Sequence, residues 1–186
     1  SRVVLPEARE YGFPRFSPDG SGVAVGVGAP ARSDIWIYDV KSVTPRRVSA
    51  GGSVNERPEW SPDGTHVLYT SDASARSSIV WRRVDLTEPP VSLVDGGYAY
   101  FEGNMTPDGA SIVVQRESDL VLLALTGNAA PAVIAATRAI ESQARVSPDG
   151  NWIVFVTDES GSDQVVVQSL AGLGTRVQVS TNGGTE

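Results

Sequence analysis

The strongest constraint on the fold is a five-residue sequence that occurs four times along the chain. It reads FSPDG at 16–20, WSPDG at 60–64, MTPDG at 105–109 and VSPDG at 146–150. Successive prolines of this sequence lie 44, 45 and 41 residues apart. A fixed period of about 40–45 residues is typical of architectures in which each repeat buries its apolar face against its neighbours. The repeat therefore has to be interpreted before any function can be assigned.

Each repeat predicts four short β-strands. Runs rich in β-branched and aromatic residues alternate between apolar and polar positions, and Gly, Pro, Asp and Ser separate the runs. In the first repeat these runs are FPRFS, GVAVGVG, DIWIYDV and PRRVSA. Four strands in each of four repeats, at this period, predict an all-β fold, a β-propeller segment with four four-stranded blades.

The predicted propeller segment covers the whole chain, 1–186. Its four blades are assigned to 11–50, 54–95, 98–137 and 140–181. The first residues, 1–6, resemble a fourth strand and are interpreted as a stray outer strand, and 182–186 as the start of a connection to a next blade. We therefore expect a fragment of a larger propeller. Uncovered blade faces promote self-association, so a homodimer through these open faces is a hypothesis that light scattering can test.

The repeated PDG sequence is explained by turn geometry between the first and second strands of each blade. Proline fixes φ near −65°, aspartate accepts hydrogen bonds from backbone N–H groups, and glycine supplies a positive φ. The alternative is a metal site, but a calcium loop needs several oxygen ligands from one short segment, and each turn has one aspartate. We therefore predict no metal ligands and twelve structural turn residues: Pro18, Asp19, Gly20, Pro62, Asp63, Gly64, Pro107, Asp108, Gly109, Pro148, Asp149 and Gly150.

Composition disfavours several classes of function. The formal net charge of −7 argues against nucleic acid as a partner. The absence of cysteine excludes thiolate metal sites and a cysteine nucleophile. The sequence also has no run of 18 or more apolar residues, so direct membrane insertion of this segment is not expected. No cofactor is predicted.

A few residues outside the turns are candidates for function. His66 is the only histidine, and without a G-x-S-x-G sequence it is better explained as a strand-entry residue than as a catalytic base. Tyr98 and Tyr100 lie in a connection between blades, where tyrosine supplies contact area with a polar tip. They are predicted to be the aromatic anchors of a recognition surface, if the chain has one.

Acidic, hydroxyl-rich loops follow the second strands of two blades, at 70–78 and 157–164. They are either part of a recognition surface or ordinary solvated hairpin loops. Asp158 and Glu159 are adjacent, and neighbouring residues on an extended strand point to opposite faces, so a paired-carboxylate glycosidase site is disfavoured. Trp36 and Trp60 occupy strand positions and are predicted to be core residues.

The same motifs carry a resemblance to a known family. The SPDG turn, the DIWIYD strand and the TDESGSD loop resemble the WD-type repeats of the TolB-like propeller family. In particular, the segment from SPDGNWIVFVTDESGSD onward is similar to the extracytoplasmic propeller of bacterial receptor-type serine/threonine protein kinases. Two blades depart from the pattern, with Met105 and Val146 in place of an aromatic residue before the turn.

The resemblance implies a non-enzymatic protein-interaction or ligand-sensing module on the extracytoplasmic, periplasmic side of a bacterial membrane. It does not imply kinase activity, since the sequence has no V-A-I-K, H-R-D or D-F-G motif. The alternative is the substrate-gating propeller of a prolyl-oligopeptidase-type serine hydrolase whose catalytic domain is not in this sequence. A metal-dependent lyase or lactonase is a third and weaker alternative because the chain has a single histidine.

Overall fold

The computed structural model describes residues 9–49, 51, 54–73, 76–94, 97–126, 130–172 and 174–184. The stray strand predicted at 1–6 lies outside these residues, as do the last two residues of the predicted connection at 182–186. The chain divides into two compact units, Ser1–Ala99 and Tyr100–Glu186. In the described residues no helix has the length and hydropathy needed to cross a membrane.

The first unit contains two four-stranded antiparallel sheets, each with its strands in chain order. The strands of the first sheet are β1 (Tyr11–Phe16), β2 (Gly22–Ala29), β3 (Arg32–Asp39) and β4 (Pro45–Arg47). Those of the second sheet are β5 (Asn55–Trp60), β6 (His66–Ser71), β7 (Ser78–Arg83) and β8 (Val91–Ser92).

The second unit repeats this arrangement with two further antiparallel sheets, again with their strands in chain order. One sheet consists of β9 (Tyr100–Met105), β10 (Ser111–Arg116), β11 (Asp119–Ala124) and β12 (Ala132–Ala135). The other consists of β13 (Glu141–Val146), β14 (Trp152–Thr157), β15 (Gln164–Ser169) and β16 (Arg176–Gln178). The predicted all-β fold with four four-stranded blades is confirmed.

The fourth strand of most sheets is shorter than the sequence pattern predicts. The run PVSLVD at 90–95 predicts a full strand, but β8 contains two residues, and Val91 is 51% exposed. A fourth strand has a hydrogen-bonded neighbour on one side only, and in β8 both residues are exposed, so little packing supports a longer ladder.

Every first strand contains a β-bulge, and in three of the four strands it lies at the same repeat position. The register with the second strand shifts between Gly12 and Arg15 in β1, and between Glu56 and Glu59 in β5. In β13 the shift is equivalent, between Ser142 and Arg145, and in β9 it lies one repeat position earlier, between Tyr100 and Gly103. The bulge residues Phe13, Arg57 and Gln143 have φ values of 55°, 54° and 56°. A bulge turns side chains out of the regular alternation and re-aims them.

The core of the first unit lies between its two sheets. Trp60 of β5 is 8% exposed and packs in one cluster with Ala24, Ile35, Ile37 and other residues of both sheets. Its indole Nε1 donates a hydrogen bond to the backbone oxygen of Arg15 at 3.0 Å. Trp60 is therefore a core residue, as predicted, whereas Trp36 is partly buried at the edge of a second cluster.

The core of the second unit is built in the same way from both of its sheets. Phe155, Ile153 and Val166 of the last sheet pack with Val113 and Leu120 of the preceding one, and all five are buried. Each unit thus buries apolar side chains between two adjacent blades, which is the arrangement that a repeat of this length predicts.

Candidate functional site

The four PDG sequences lie in the turns between the first and second strands of the four sheets. In the first turn the N–H of Gly20 donates to the backbone oxygen of Ser17 at 2.8 Å, which closes a four-residue turn. The glycines Gly20, Gly64, Gly109 and Gly150 have φ values between 69° and 74°. These backbone angles fall in the left-handed region that glycine adopts without steric cost.

Each turn aspartate accepts hydrogen bonds from within its own turn. Asp19 Oδ1 accepts from the Ser17 hydroxyl at 2.6 Å and from the Ser21 N–H at 3.0 Å. Asp63 makes the equivalent bonds with the Ser61 hydroxyl and the Thr65 N–H. These bonds stabilise the ionised carboxylate, so they lower the pKa of Asp19, Asp63 and Asp149 to about 2 and also lower that of Asp108.

The hydroxyl residue before each proline has a role that sequence reasoning missed. The Oγ of Ser17 donates to Asp19 and also accepts from the N–H of Gly22 at 2.8 Å. Ser61, Thr106 and Ser147 make the same pair of bonds in the other turns. Serine or threonine recurs at this position in all four repeats, which was the available signal.

The aspartates of the turns are not brought together as a metal site. Each carboxylate is held against its own turn by the hydrogen bonds above. Among the residues that the structure describes, no group of three or more His, Asp or Glu side chains is arranged to hold a metal ion.

His66 begins β6 and stacks on Trp81 of the neighbouring strand. The two ring centroids are 4.4 Å apart and the ring planes are inclined by 20°. The His66 Nδ1 lies 2.7 Å from the hydroxyl oxygen of Thr65. Burial, and secondarily the positive charge of Arg83, lower the pKa of His66. The ring is thus a packed strand-entry residue, the position expected from the sequence.

The two tyrosines proposed as exposed anchors have different environments. Tyr98 is 50% exposed, but Tyr100 is 6% exposed, so the expectation of an exposed side chain is wrong for Tyr100. Tyr100 is the first residue of β9, and alternation along the strand turns it inward while it turns Phe101 outward, where Phe101 is 39% exposed. Sequence reasoning missed Phe101 because the register of the strand was not known.

Asp158 and Glu159 lie in the turn after β14, so the expectation that they are neighbours on an extended strand is wrong. Asp158 Oδ1 accepts a hydrogen bond from the N–H of Ile140 at 2.7 Å. Glu159 Oε2 accepts one from the guanidinium of Arg176, also at 2.7 Å. The two carboxylates therefore bind different elements and do not face a common cleft as a pair.

Of the six non-glycine residues with a positive φ in the described part of the chain, three lie in the bulged first strands: Phe13, Arg57 and Gln143. In the first unit, the Arg57 guanidinium lies over the ring of Phe13, with 4.4 Å between its central carbon and the ring centroid. Arg15 Nε donates to Glu59 Oε2 at 3.3 Å two residues further along the same strands. We call these four residues, Phe13, Arg15, Arg57 and Glu59, the bulge surface.

A shallow cleft of about 250 Å³ adjoins the bulge surface at the start of β1. Glu10 and Glu56 lie in its wall together with Tyr11 and Phe13. The bulge surface thus combines an aromatic ring, two cations and a carboxylate, with two more carboxylates beside it. Aromatic side chains and arginine are enriched in protein–protein interfaces.

The same repeat positions are in contact in the second unit. The Glu102 carboxylate accepts a hydrogen bond from the N–H of Gln143. Asn104 Oδ1 accepts one from the N–H of Val146 at 2.7 Å. Contacts between neighbouring first strands are therefore a repeated feature, while the residue types differ from one unit to the other.

Comparison with known proteins identifies the relatives of the chain. The model of the PD40 family, TolB beta propeller domain, matches residues 3–128, which is more than half of the chain. The Tol-Pal system protein TolB of Francisella tularensis subsp. mediasiatica is 29% identical over 167 residues, which cover 86% of this chain and 38% of the relative.

Solved structures show the same fold. TolB from Acinetobacter baumannii matches with a TM-score of 0.79 and 23% identity, over 93% of this chain and 44% of that one. A puromycin-hydrolyzing peptidase of Mycobacterium tuberculosis matches with a TM-score of 0.74 and 17% identity, over 96% of this chain and 32% of that one. The chain thus spans less than half the length of each of these proteins, and its sheets correspond to part of a larger propeller.

Proposed function

The chain belongs to the PD40 family of TolB beta propeller domains, and on that basis we propose that it is a non-enzymatic protein-interaction module that contacts its partner through the bulge surface. The proposal extends to its location, the periplasmic side of a bacterial membrane. It also extends to a sensor role like that of the propellers of receptor-type kinases, which the segment from 147 onward resembles.

The observation that carries the proposal is the backbone strain at the bulge. Phe13 and Arg57 are not glycines, yet both have φ values in the left-handed region. Non-glycine residues held in this way cost about 1–3 kcal/mol each and are concentrated at binding and active sites. Glycine would relieve the strain, so the presence of Phe and Arg is best explained by what their side chains contact.

The chemistry of the bulge surface suits a protein partner. An arginine stacked on an aromatic ring offers a flat, partly apolar area together with a positive charge. The neighbouring Arg15 and Glu59 supply one charge of each sign. Such a surface can exchange its internal pairs for pairs with a partner at modest cost, because partly exposed ion pairs contribute about 0–1 kcal/mol.

Photo-crosslinking from two aromatic positions of β1 tests the proposal. A benzophenone amino acid replaces Phe13 in one variant and Phe16 in the other, in the full-length protein expressed in its own cells. Phe16 is 71% exposed and Phe13 is partly buried, so crosslinking that followed exposure alone would favour position 16. We expect a discrete protein adduct from position 13 and none of the same mass from position 16.

Two glycine substitutions provide the matched control. Arg57→Gly removes the guanidinium and relieves the strain, so it should abolish the adduct while the protein remains at least as stable. Val43→Gly relieves the same kind of strain in the turn after β3, where φ is 58°, and should leave the adduct unchanged. An adduct that survives Arg57→Gly, or that is lost equally in Val43→Gly, would refute a role for the bulge surface.

The likeness to the peptidase structure favours one second candidate, the substrate-gating propeller of a serine peptidase. In that case the full-length protein would hydrolyse a chromogenic prolyl peptide, and a serine-directed phosphonate would block the hydrolysis. No hydrolysis, together with a discrete adduct at position 13, would leave the interaction module as the function.

A further inference from the structure

A second and larger cleft lies in the first unit, at the turn ends of its two sheets. It has a volume of about 700 Å³, which is within the usual range for small-molecule sites. Its inner wall is apolar and is formed by Gly22, Ile37, Trp60 and Val84. We call it the turn cleft.

The rim of the turn cleft carries a net negative charge. Asp19, Asp39 and Asp63 line it from three separate turns, and Arg46 is the cation among the lining residues. Hydrogen bonds from within the turns lower the pKa of all three carboxyl groups, so they remain charged at and below neutral pH. The rim therefore attracts cations over a wide range of pH.

The rim carboxylates retain capacity to accept hydrogen bonds from a ligand. Asp39 Oδ1 accepts from the N–H groups of Lys41 and Ser42 at 2.9 and 2.6 Å. Its Oδ2 accepts no hydrogen bond from the described part of the chain. The Oδ2 atoms of Asp19 and Asp63 each accept one hydroxyl, from Ser21 and Thr65 respectively. Since a carboxylate oxygen can accept two hydrogen bonds, each outer oxygen has a site left.

Two residues that line the turn cleft are not repeated at the equivalent positions of other sheets. Four residues after the turn proline, the first sheet has Gly22 and the third sheet has Ser111. The residues paired with them on the next strand are Asp39 and Ala124. The carboxylate of Asp39 on the rim is therefore replaced by alanine in the third sheet. The tryptophan of the wall, Trp60, is likewise replaced by valine at the equivalent position of the fourth repeat.

We propose that the turn cleft binds a small organic cation with a flat apolar body, such as an amidine, a guanidine or an aromatic amine. The carboxylates are fixed to three different turns, so the negative charge is spread around the rim and suits a delocalised cation. The apolar body of the ligand would lie against Trp60, Ile37 and Val84. A free small molecule suits the volume of the cleft.

Benzamidine and benzamide test this proposal as a matched pair, because they have nearly the same shape and differ in charge. Each is titrated into the ¹⁵N-labelled protein, and the amide signals of Gly22 and Thr65 and the indole N–H signal of Trp60 are followed by NMR. We expect benzamidine to shift these signals in a saturable way and to bind at least ten-fold more tightly than benzamide. Equal binding of the two compounds would overturn the recognition of a cation.

Three variants locate the binding. Asp39→Asn removes one rim charge and keeps an acceptor for the turn, and it should weaken benzamidine binding about five- to ten-fold. Gly22→Ala places a methyl group 3.5 Å from Ile37 and 3.7 Å from Trp60, which are ordinary van der Waals distances. The methyl group would occupy space at the apolar wall of the cleft, so this variant should weaken benzamidine binding by a similar factor. Asp163→Asn removes an exposed charge in the second unit and should have no effect.

Two results would contradict the assignment. If Asp163→Asn weakened benzamidine binding as much as Asp39→Asn does, only the overall charge of −7 would attract the ligand. The second result is an arginine-containing tripeptide that shifts the same signals and binds more tightly than any small amidine. The occupant would then be a segment of a partner protein, and the proposal of a free small molecule would be refuted. The readout is independent of the crosslinking from Phe13, so the two proposals can fail separately.

Discussion

The turn glycine Gly64 lies beside Pro18 of the preceding turn, close enough for an added Cβ to be in van der Waals contact with the proline ring. A Cβ atom placed on Gly64 would lie 3.7 Å from Pro18 Cδ. Gly150 has the same relationship to Pro107 in the second unit, also at 3.7 Å. The PDG sequence thus closes a hairpin within its own sheet and also places its glycine beside the proline of the turn in the adjacent sheet.

Two glycine-to-alanine substitutions in the first unit should change stability in opposite directions. Gly64→Ala should lower the free energy of unfolding by about 1–2 kcal/mol, because its φ of 69° is unfavourable for a residue with a Cβ. Gly22→Ala should raise it by about 0.5–1 kcal/mol, because alanine loses less backbone entropy in a strand and the new methyl group meets ordinary van der Waals contacts. Urea denaturation of both variants measures the difference.

A loss of stability in Gly22→Ala would show that the wall of the turn cleft is packed more tightly than the structure indicates. A neutral Gly64→Ala would show that the left-handed turn is not maintained in solution.

Trp60 should contribute more to stability than any other tryptophan. Trp60→Ala removes a buried indole between two sheets and its hydrogen bond to Arg15. It should lower the free energy of unfolding by about 3–5 kcal/mol. The matched control is Trp152→Ala, because Trp152 is 44% exposed and its loss should cost under about 1 kcal/mol. Thermal or urea unfolding compares the two, and equal costs would contradict the packing of Trp60 between the sheets.

The turn geometry could be predicted from sequence because it is local. Pro18, Asp19 and Gly20 each have a conformational preference of their own, and their order allows one hairpin turn. Burial could not be predicted in the same way. Phe16 and Trp60 occupy the same repeat position, yet Phe16 is 71% exposed and Trp60 is 8% exposed. The difference depends on whether a neighbouring sheet covers that face, and a repeat pattern cannot show this.

The bulge surface was not predicted for a different reason. Phe13, Arg57 and Gln143 share a backbone conformation but no residue type, so no motif marks the position. Only their spacing of 44 residues between the first two sheets follows the repeat. Tyr100 could not be assigned for a related reason: alternation places its side chain opposite to that of Phe101, but the register shift between Tyr100 and Gly103 decides which of the two points inward.

Acid should destabilise the protein through its turn aspartates. The pKa of Asp19, Asp63 and Asp149 is about 2 in the folded chain and 3.8 for an unperturbed aspartate. Protonation is therefore favoured in the unfolded state, and the stabilisation is present above about pH 4 and is lost as the pH falls toward 2. Replacing all three by asparagine should flatten the stability curve between pH 4 and pH 2.

The measurement is the urea midpoint as a function of pH, with Asp163→Asn as a control that removes a carboxylate outside the PDG turns. If the triple variant retains the slope of the wild-type curve between pH 4 and 2, other carboxyl groups dominate the acid transition.

His66 should titrate below its ordinary range. Burial and the nearby Arg83 disfavour the protonated ring, so its pKa should fall below 6.5. Folding then opposes protonation, and stability should decrease as the pH falls below 6.5. Since His66 is the only histidine, its Cε1–H signal in an NMR titration gives the midpoint directly. His66→Phe keeps a ring stacked on Trp81 and should remove this pH dependence, and a midpoint above 6.5 would refute the prediction.

The last sheet should promote self-association through its exposed apolar face. Trp152, Val177 and Val179 are 44%, 52% and 56% exposed. The strand register places Val154, Val167 and Val177 opposite one another, so these side chains lie on one face together with Trp152 and Val179. Contiguous exposed apolar surface of this kind is typical of an interface. We expect light scattering to show a concentration-dependent rise from 19.6 kDa toward twice that mass.

Lysine substitutions test whether self-association requires this face or follows from any exposed valine. Val177→Lys with Val179→Lys places two charges on the apolar face and should keep the protein monomeric. Val133→Lys changes a valine that is 48% exposed in another sheet, and it should associate as the wild type does. A wild-type protein that stays at 19.6 kDa at millimolar concentration would rule out the homodimer. Association that the double lysine variant does not reduce would place the interface on another surface of the chain.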